Sequence, residues 1–164
     1  MNPVSIDRLA GDDWQTLRDL RLAALQESPH AFWAKLSDER RYNREQWTSF
    51  LGAVAWFVAR RVDGRAIGVA GLLQEDAGPE LIGMWVAPDE RGHGIGTRLT
   101  RAIVDLATNE GAPSVGLWVT DGNDAARAMY QRLGFEFTGE WAPMPHDDAS
   151  GEHRMRIVLG PGGA

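Results

Sequence analysis

The segment Arg91-Gly92-His93-Gly94-Ile95-Gly96-Thr97 constrains this chain more than any other, because it stands between an apolar run of strand length, Glu80–Val86, and a helical pattern over residues 97–110. Alternating glycines let successive backbone N–H groups turn toward one centre, and the N-terminus of the following helix adds the positive end of its dipole. Such a place suits an anion, and phosphate is the natural one. A turn that only needs positive φ does not call for three alternating glycines. A nucleotide-hydrolysing P-loop requires Gly-Lys-Ser/Thr, and no Lys lies here. The dinucleotide fingerprint fails too, since counting from Gly92 or Gly94 puts Thr97 or Leu99 where its last Gly belongs. What remains is the pattern Arg/Gln-x-x-Gly-x-Gly/Ala, which Arg91 to Gly96 match in full.

Periodicity supplies the frame around this loop. Residues 4–9 alternate as a short strand, and Asp12 is placed to cap a helix carrying Trp14, Leu17, Leu20 and Leu25, which Ser28-Pro29 stops. A second helix is expected from near Ser37, with Trp47, Phe50 and Leu51 on its apolar side. Residues 54–61 and 66–73, on either side of Asp63-Gly64, read as a β-hairpin with a two-residue turn, and residues 80–86 follow as a third strand. Beyond the 97–110 helix, residues 114–119 form a strand; strand, helix, strand in this order needs a right-handed crossover and makes the two strands parallel. Residues 124–133 read as a helix ended by Gly134, and residues 135–141 and 155–159 as the last strands. Between them, residues 142–152, with two Pro and no periodicity, read as a surface loop. The expected architecture is α/β, one domain over residues 1–164 with a flexible tail at 160–164.

Composition narrows the chemistry. The 164 residues contain no Cys, which excludes disulfides, thiolate metal sites and a cysteine nucleophile. Of 17 basic residues only Lys35 is lysine, so lysine-based mechanisms have one candidate. A net charge of −6 argues against nucleic acid as a partner, yet residues 91–104 hold three Arg and one His with no acid. No apolar run approaches the roughly 20 residues needed to cross a bilayer, and the N-terminus has no apolar signal core, so neither membrane nor export is expected and a cytoplasmic location is the default.

Three segments together resemble the GNAT superfamily of acyl-CoA-dependent N-acetyltransferases: the loop itself, the run Met84-Trp85-Val86-Ala87-Pro88, which resembles that family's fourth strand, and Asn123-Asp124-Ala125-Ala126-Arg127-Ala128-Met129-Tyr130-Gln131-Arg132-Leu133-Gly134-Phe135, which is similar to its second cofactor motif. The resemblance implies a mixed central sheet of about six or seven strands with about four helices and a splayed parallel strand pair in the middle. It implies acetyl transfer from acetyl-CoA, as acyl donor and without a metal, to a primary amine of a small molecule or peptide. A non-catalytic acyl-CoA sensor of the same fold is the alternative, and a homodimer is compatible with the family.

Residue by residue, the resemblance assigns the pyrophosphate to Arg91, Gly92, His93, Gly94, Ile95, Gly96 and Thr97, and the pantetheine arm to the backbone of Met84, Trp85 and Val86 and to Asn123. The Trp85 side chain reads as core. Tyr130 takes the position of the acid that protonates the leaving thiolate, with ordinary packing beside Leu133 as the alternative. Glu80 is at a position where relatives place the base that deprotonates the acceptor, and is equally explained as an exposed turn residue; His30 is a second candidate base or a solvated loop histidine. Phe32 and Trp33 are assigned to the acceptor mouth, which a cationic amine would enter between them and the acidic 142–152 loop; a face of Trp33 offers cation–π contact, unless that indole turns into the core. His146, Asp147, Asp148, Glu152 and His153 lack a regular element to hold them as metal ligands, so no metal is expected.

Overall fold

The computed structural model describes residues 3–161, apart from the side chain of Asp148. The chain forms β1 (Val4–Arg8), α1 (Trp14–Glu27), α2 (Leu36–Glu39), α3 (Arg44–Ala53), β2 (Val54–Arg61), β3 (Ala66–Leu73), β4 (Glu80–Val86), α4 (Ile95–Asn109), β5 (Ser114–Thr120), α5 (Asp124–Arg132), β6 (Glu136–Met144) and β7 (Asp147–Val158), with single 3-10 turns at Pro29–Ala31 and Pro88–Glu90. The strands make one mixed sheet in the order β1-β2-β3-β4-β5-β7-β6, antiparallel except for β4 beside β5. One face is covered by α1 and α3, whose Leu17 and Trp47 share a core with Trp56 of β2; the other packs Leu99 and Ile103 of α4 and Tyr130 of α5 against Val115, Leu117 and Met155. Among the described residues no helix is long and apolar enough to cross a membrane.

Several expectations need correction. The second helix is two helices: Glu39 at the end of α2 is drawn into a buried ion pair with Arg21, and Asn43 and Gln46 then start α3 with a reciprocal capping box. Asp13, not Asp12, precedes α1, and its side chain makes no cap. The β2–β3 connection has four residues, with Asp63-Gly64 at its centre and Arg61 N–H bonded to the Arg65 carbonyl. Residues 142–152 are no loop: β6 runs on to Met144, β7 begins at Asp147, and Ala142 pairs with Glu152. Pro143 is tolerated there because β6 is an edge strand, and the absence of alternation follows from exposure of most of β6. Gly151 leaves room for the Trp141 indole, which a Cβ would meet at 2.3 Å. Of the expected tail, residues 162–164 lie outside the described residues.

Candidate functional site

The site begins with a defect in β4. Opposite β3, Gly68 pairs with Val86, Val69 with Trp85 and Gly71 with Ile82, so Gly83 and Met84 together face the single residue Ala70. This is a β-bulge, with Gly83 at φ +62°, and a Cβ there would also lie 2.8 Å from the Trp56 ring. The bulge turns β4 aside: it pairs with β5 at Glu80 and Gly116, and the backbone from Met84 to Val86 is left without a strand partner on that side. A cleft of about 880 Å³ opens in the gap, with Met84, Trp85 and Val86 along one wall and Thr120, Asn123 and Met129 along the other.

The glycine loop closes one end of this cleft. Glu90, buried below it, accepts from Arg61 Nε at 2.7 Å and from the guanidinium of Arg65, which with the Arg61 pairing hold its carboxyl below the usual range against the opposing effect of burial. His93 Nδ1 lies 3.1 Å from the Glu90 carbonyl, so this side chain fastens the turn. Gly92 and Gly94 have φ of +81° and +77°, and the helix begins at Ile95, two residues earlier than expected. Gly94 is its N-cap and no side chain caps it, so the N–H groups of Ile95, Gly96 and Thr97 at the head of α4 have no intrahelical acceptor. Gly96 serves differently: a Cβ would sit 2.9 Å from Met129 Sδ, so its lack of a side chain is what lets α5 approach the loop.

Arg91 lies across the floor. Its Nε donates to the Val86 carbonyl at 3.0 Å and its guanidinium pairs with Glu27 at 2.7 Å. Glu27 also accepts from Trp85 Nε1 at 2.9 Å and from the Ser28 hydroxyl, and hydrogen bonding from Arg91, ahead of the other donors and against burial, brings its carboxyl down to about 2. Sequence reasoning missed Glu27, which is the last residue of an ordinary amphipathic helix and carries no local signal. Asp121 was missed as well. It lines the cleft at the β5–α5 turn, where burial would raise its pKa, and it is held below the usual range by His153 at 2.8 Å and by the Gly151 N–H at 3.0 Å.

Asn123 caps α5, with Oδ1 3.4 Å from the Ala126 N–H, and lines the cleft. Tyr130 is 4% exposed and sits beneath that wall against Phe135, ring centroids 5.6 Å apart; Met129 is the neighbour that lines the opening. Burial pushes the phenol upward, so it stays protonated throughout the neutral range.

At the other end, His30 and Phe32 line the cleft, with Phe32 buried under the Arg21 guanidinium, 5.8 Å from its ring. Trp33 faces outward, 59% exposed, and its Nε1 donates to Glu152 Oε1 at 2.7 Å. The linker and β7 are therefore joined where an open entrance between them was expected. Glu80 is not brought to the cleft: it stands at the opposite end of β4, ion-paired to Arg154. Among the described side chains, His146 meets the Phe32 carbonyl at 3.0 Å, His153 meets Asp121 and Glu152 meets Trp33, so the histidines and acids of this hairpin have separate partners rather than one centre, although a regular hairpin does hold them. The Asp148 side chain lies outside the described residues.

Comparison with known proteins places this geometry in context. The model of the acetyltransferase (GNAT) family matches residues 14–135. Streptothricin acetyltransferase of Streptomyces lavendulae is 37% identical over 106 residues, covering 63% of this chain and 56% of that protein. An L-methionine sulfoximine/L-methionine sulfone acetyltransferase of Pseudomonas paraeruginosa is 30% identical over 106 residues, 52% of this chain and 59% of the relative. The match thus spans somewhat over half the length of these curated relatives. A Salmonella typhimurium protein solved with its cofactor acetyl-CoA superposes with a TM-score of 0.80 at 18% identity, over 99% of this chain and 97% of the other, a likeness of fold.

Proposed function

The chain belongs to the acetyltransferase (GNAT) family, and from that premise we propose that it transfers an acetyl group from acetyl-CoA to the primary amine of a small molecule. The observation that carries the reading is the uncapped head of α4, three free N–H groups behind two left-handed glycines, opening on a cleft whose strand backbone has been freed by a bulge. The first element suits a pyrophosphate and the second an amide-bearing arm that pairs as an extra strand.

Acetyl-CoA supplies a thioester whose carbonyl carbon the amine attacks. The C–N bond forms, the C–S bond breaks, and the leaving sulfur needs a proton. A backbone N–H near Val86 stabilises the carbonyl oxygen as charge develops on it. Tyr130, kept protonated by burial, is the donor assigned to the sulfur, and Asn123 donates from its amide nitrogen toward the pantetheine while its Oδ1 holds the helix. Arg91 serves the loop through geometry, tying it to the Val86 carbonyl and to Glu27.

The test has two parts. Calorimetry measures coenzyme A binding, and a free-thiol assay follows acetyl-CoA across a panel containing streptothricin, L-methionine sulfone, a polyamine, a peptide N-terminus and neutral arylamines. Tight binding with amine-dependent thiol release is expected. Binding with no release over background for any amine would make the chain an acyl-CoA sensor, and no binding would refute the site.

A further inference from the structure

Glu152 is 3% exposed, yet the hydrogen bond it accepts from the described residues is a single one, from the Trp33 indole to Oε1. Its other oxygen has no donor among them. It lies opposite Thr120, which lines the cleft, and under Trp33, which follows the cleft residue Phe32. The charges around it do not balance. The charge of Glu80 acts on Glu152 with Arg154 as the near cation, and that guanidinium is engaged by Glu80 and, at 3.5 Å, by Glu140 of β6. A buried carboxylate in that position either takes up a proton or receives a cation.

We propose that Glu152 receives the acceptor's ammonium group and takes its proton, with the Trp33 indole holding the carboxylate in place beside its strand partner Thr120, which lines the cleft. This rests on the acyl-transfer reading above. Forming a secondary amide removes two protons from the ammonium nitrogen: the first passes to Glu152 and from there to water, regenerating the carboxylate, and the second replaces the proton that Tyr130 gives to the departing sulfur. Glu80 has a positioning role, because its charge acts on Glu152 while its own carboxylate stays with Arg154.

The consequence is a pH dependence set by identifiable neighbours. β5 presents Thr120 to Glu152 and β6 presents Ala142, both uncharged. β4 contributes Glu80, β7 contributes Arg154, and the linker contributes Trp33, with His146 taken up by the Phe32 carbonyl. Burial, opposed by the indole bond and assisted by Glu80, raises the Glu152 pKa, so the active carboxylate appears as pH rises through that raised value. Removing the indole donor moves the change further up.

The experiment measures kcat/KM against pH for the fastest amine of the panel in the wild-type chain, E152Q, E152D and W33F, with coenzyme A affinity in parallel. Gln keeps the shape and the acceptor for Trp33, so E152Q is expected to fold, bind coenzyme A as wild type does, and lose ~10²-fold in kcat/KM together with the acid limb of the profile. E152D should keep the limb at reduced rate, and W33F should move it to higher pH. An E152Q enzyme within threefold of wild type, or one that loses rate with the acid limb intact, overturns the proposal. So does a wild-type chain that binds coenzyme A and acetylates no amine, whereas failure to bind coenzyme A overturns the acyl-transfer reading itself and this inference with it.

Discussion

Gly94→Ala isolates what the loop's backbone contributes, because position 94 has φ +77° and nothing within 4 Å of where a Cβ would stand. No steric clash is introduced, so the change is conformational. Holding an L-residue in the left-handed region costs roughly 1–2 kcal/mol, and two arrangements decide where that cost appears. If the loop keeps its shape without ligand, the folded state bears it, and for a chain of this size Tm falls by about 2–8 °C with coenzyme A affinity unchanged. If the loop relaxes and coenzyme A must restore it, Tm is preserved and Kd rises by roughly 5–30-fold. The two losses sum to the same quantity, so thermal unfolding and calorimetry on one sample test the assignment together. Gly94→Asn, which tolerates the left-handed region better, should recover part of whichever loss is seen. A Gly94→Ala chain with unchanged Tm and unchanged Kd would refute the claim that this backbone geometry forms the anion site.

Tyr130→Phe should lower kcat by ~10²-fold with acetyl-CoA affinity preserved; unchanged turnover with chemistry rate-limiting would return Tyr130 to packing. Gly96→Val should weaken coenzyme A binding severely, because the side chain meets Met129 Sδ, and Met129→Ala should restore part of that binding where a backbone cause would leave it unrestored. Glu27→Gln should flatten the acid limb of the stability curve. The Glu27 carboxyl is depressed from 4.5 to about 2, so its contribution is complete above pH 4.5 and is lost as pH falls toward 2. Partial exposure of both partners holds the size to about 1 kcal/mol, measurable by urea unfolding at pH 6 and pH 3.

Legibility in the sequence followed the range of the interactions. Strands β2, β3 and β4 are bounded as the apolar runs and turn residues predict, since each anchors buried side chains in the core and stops at local signals such as Asp63-Gly64 and Pro88. The glycine loop was legible for the same reason: φ at Gly92 and Gly94 is a property of neighbouring residues. The β6–β7 hairpin was not, because an exposed edge strand has no reason to alternate, and Pro143 is harmful only where a ladder bond is needed. Nor was the split between α2 and α3, which depends on Arg21 finding Glu39 across 18 positions.

The acceptor end of the site shows the same limit in its chemistry. Glu80 was the natural candidate base by position in β4, but its side chain is claimed by Arg154, 74 residues further along the chain, a partner that periodicity does not name. Glu152 sat in a stretch read as a loop, where a carboxylate is solvated and unremarkable. Once that stretch is a strand, its register with Thr120 turns the same residue inward, and the Trp33 indole arrives from 119 positions away. A solvated glutamate and a buried one with an open oxygen differ in nothing that the sequence around residue 152 records. What separates them is sheet register, so a change that shifts β7 by one residue would send Glu152 to the opposite face of the sheet. Insertion of one residue between Met144 and Asp147 should leave β7 in place, because its pairing with β5 fixes the register independently, and the acid limb assigned to Glu152 should survive. Insertion after Thr120 lengthens the β5–α5 turn that carries Asp121 and Asn123 without altering the β5–β7 pairs, so it should weaken coenzyme A binding while the pH at which the Glu152 limb falls stays the same. A limb displaced by both insertions alike would mean that the titrating group is not held by this register at all.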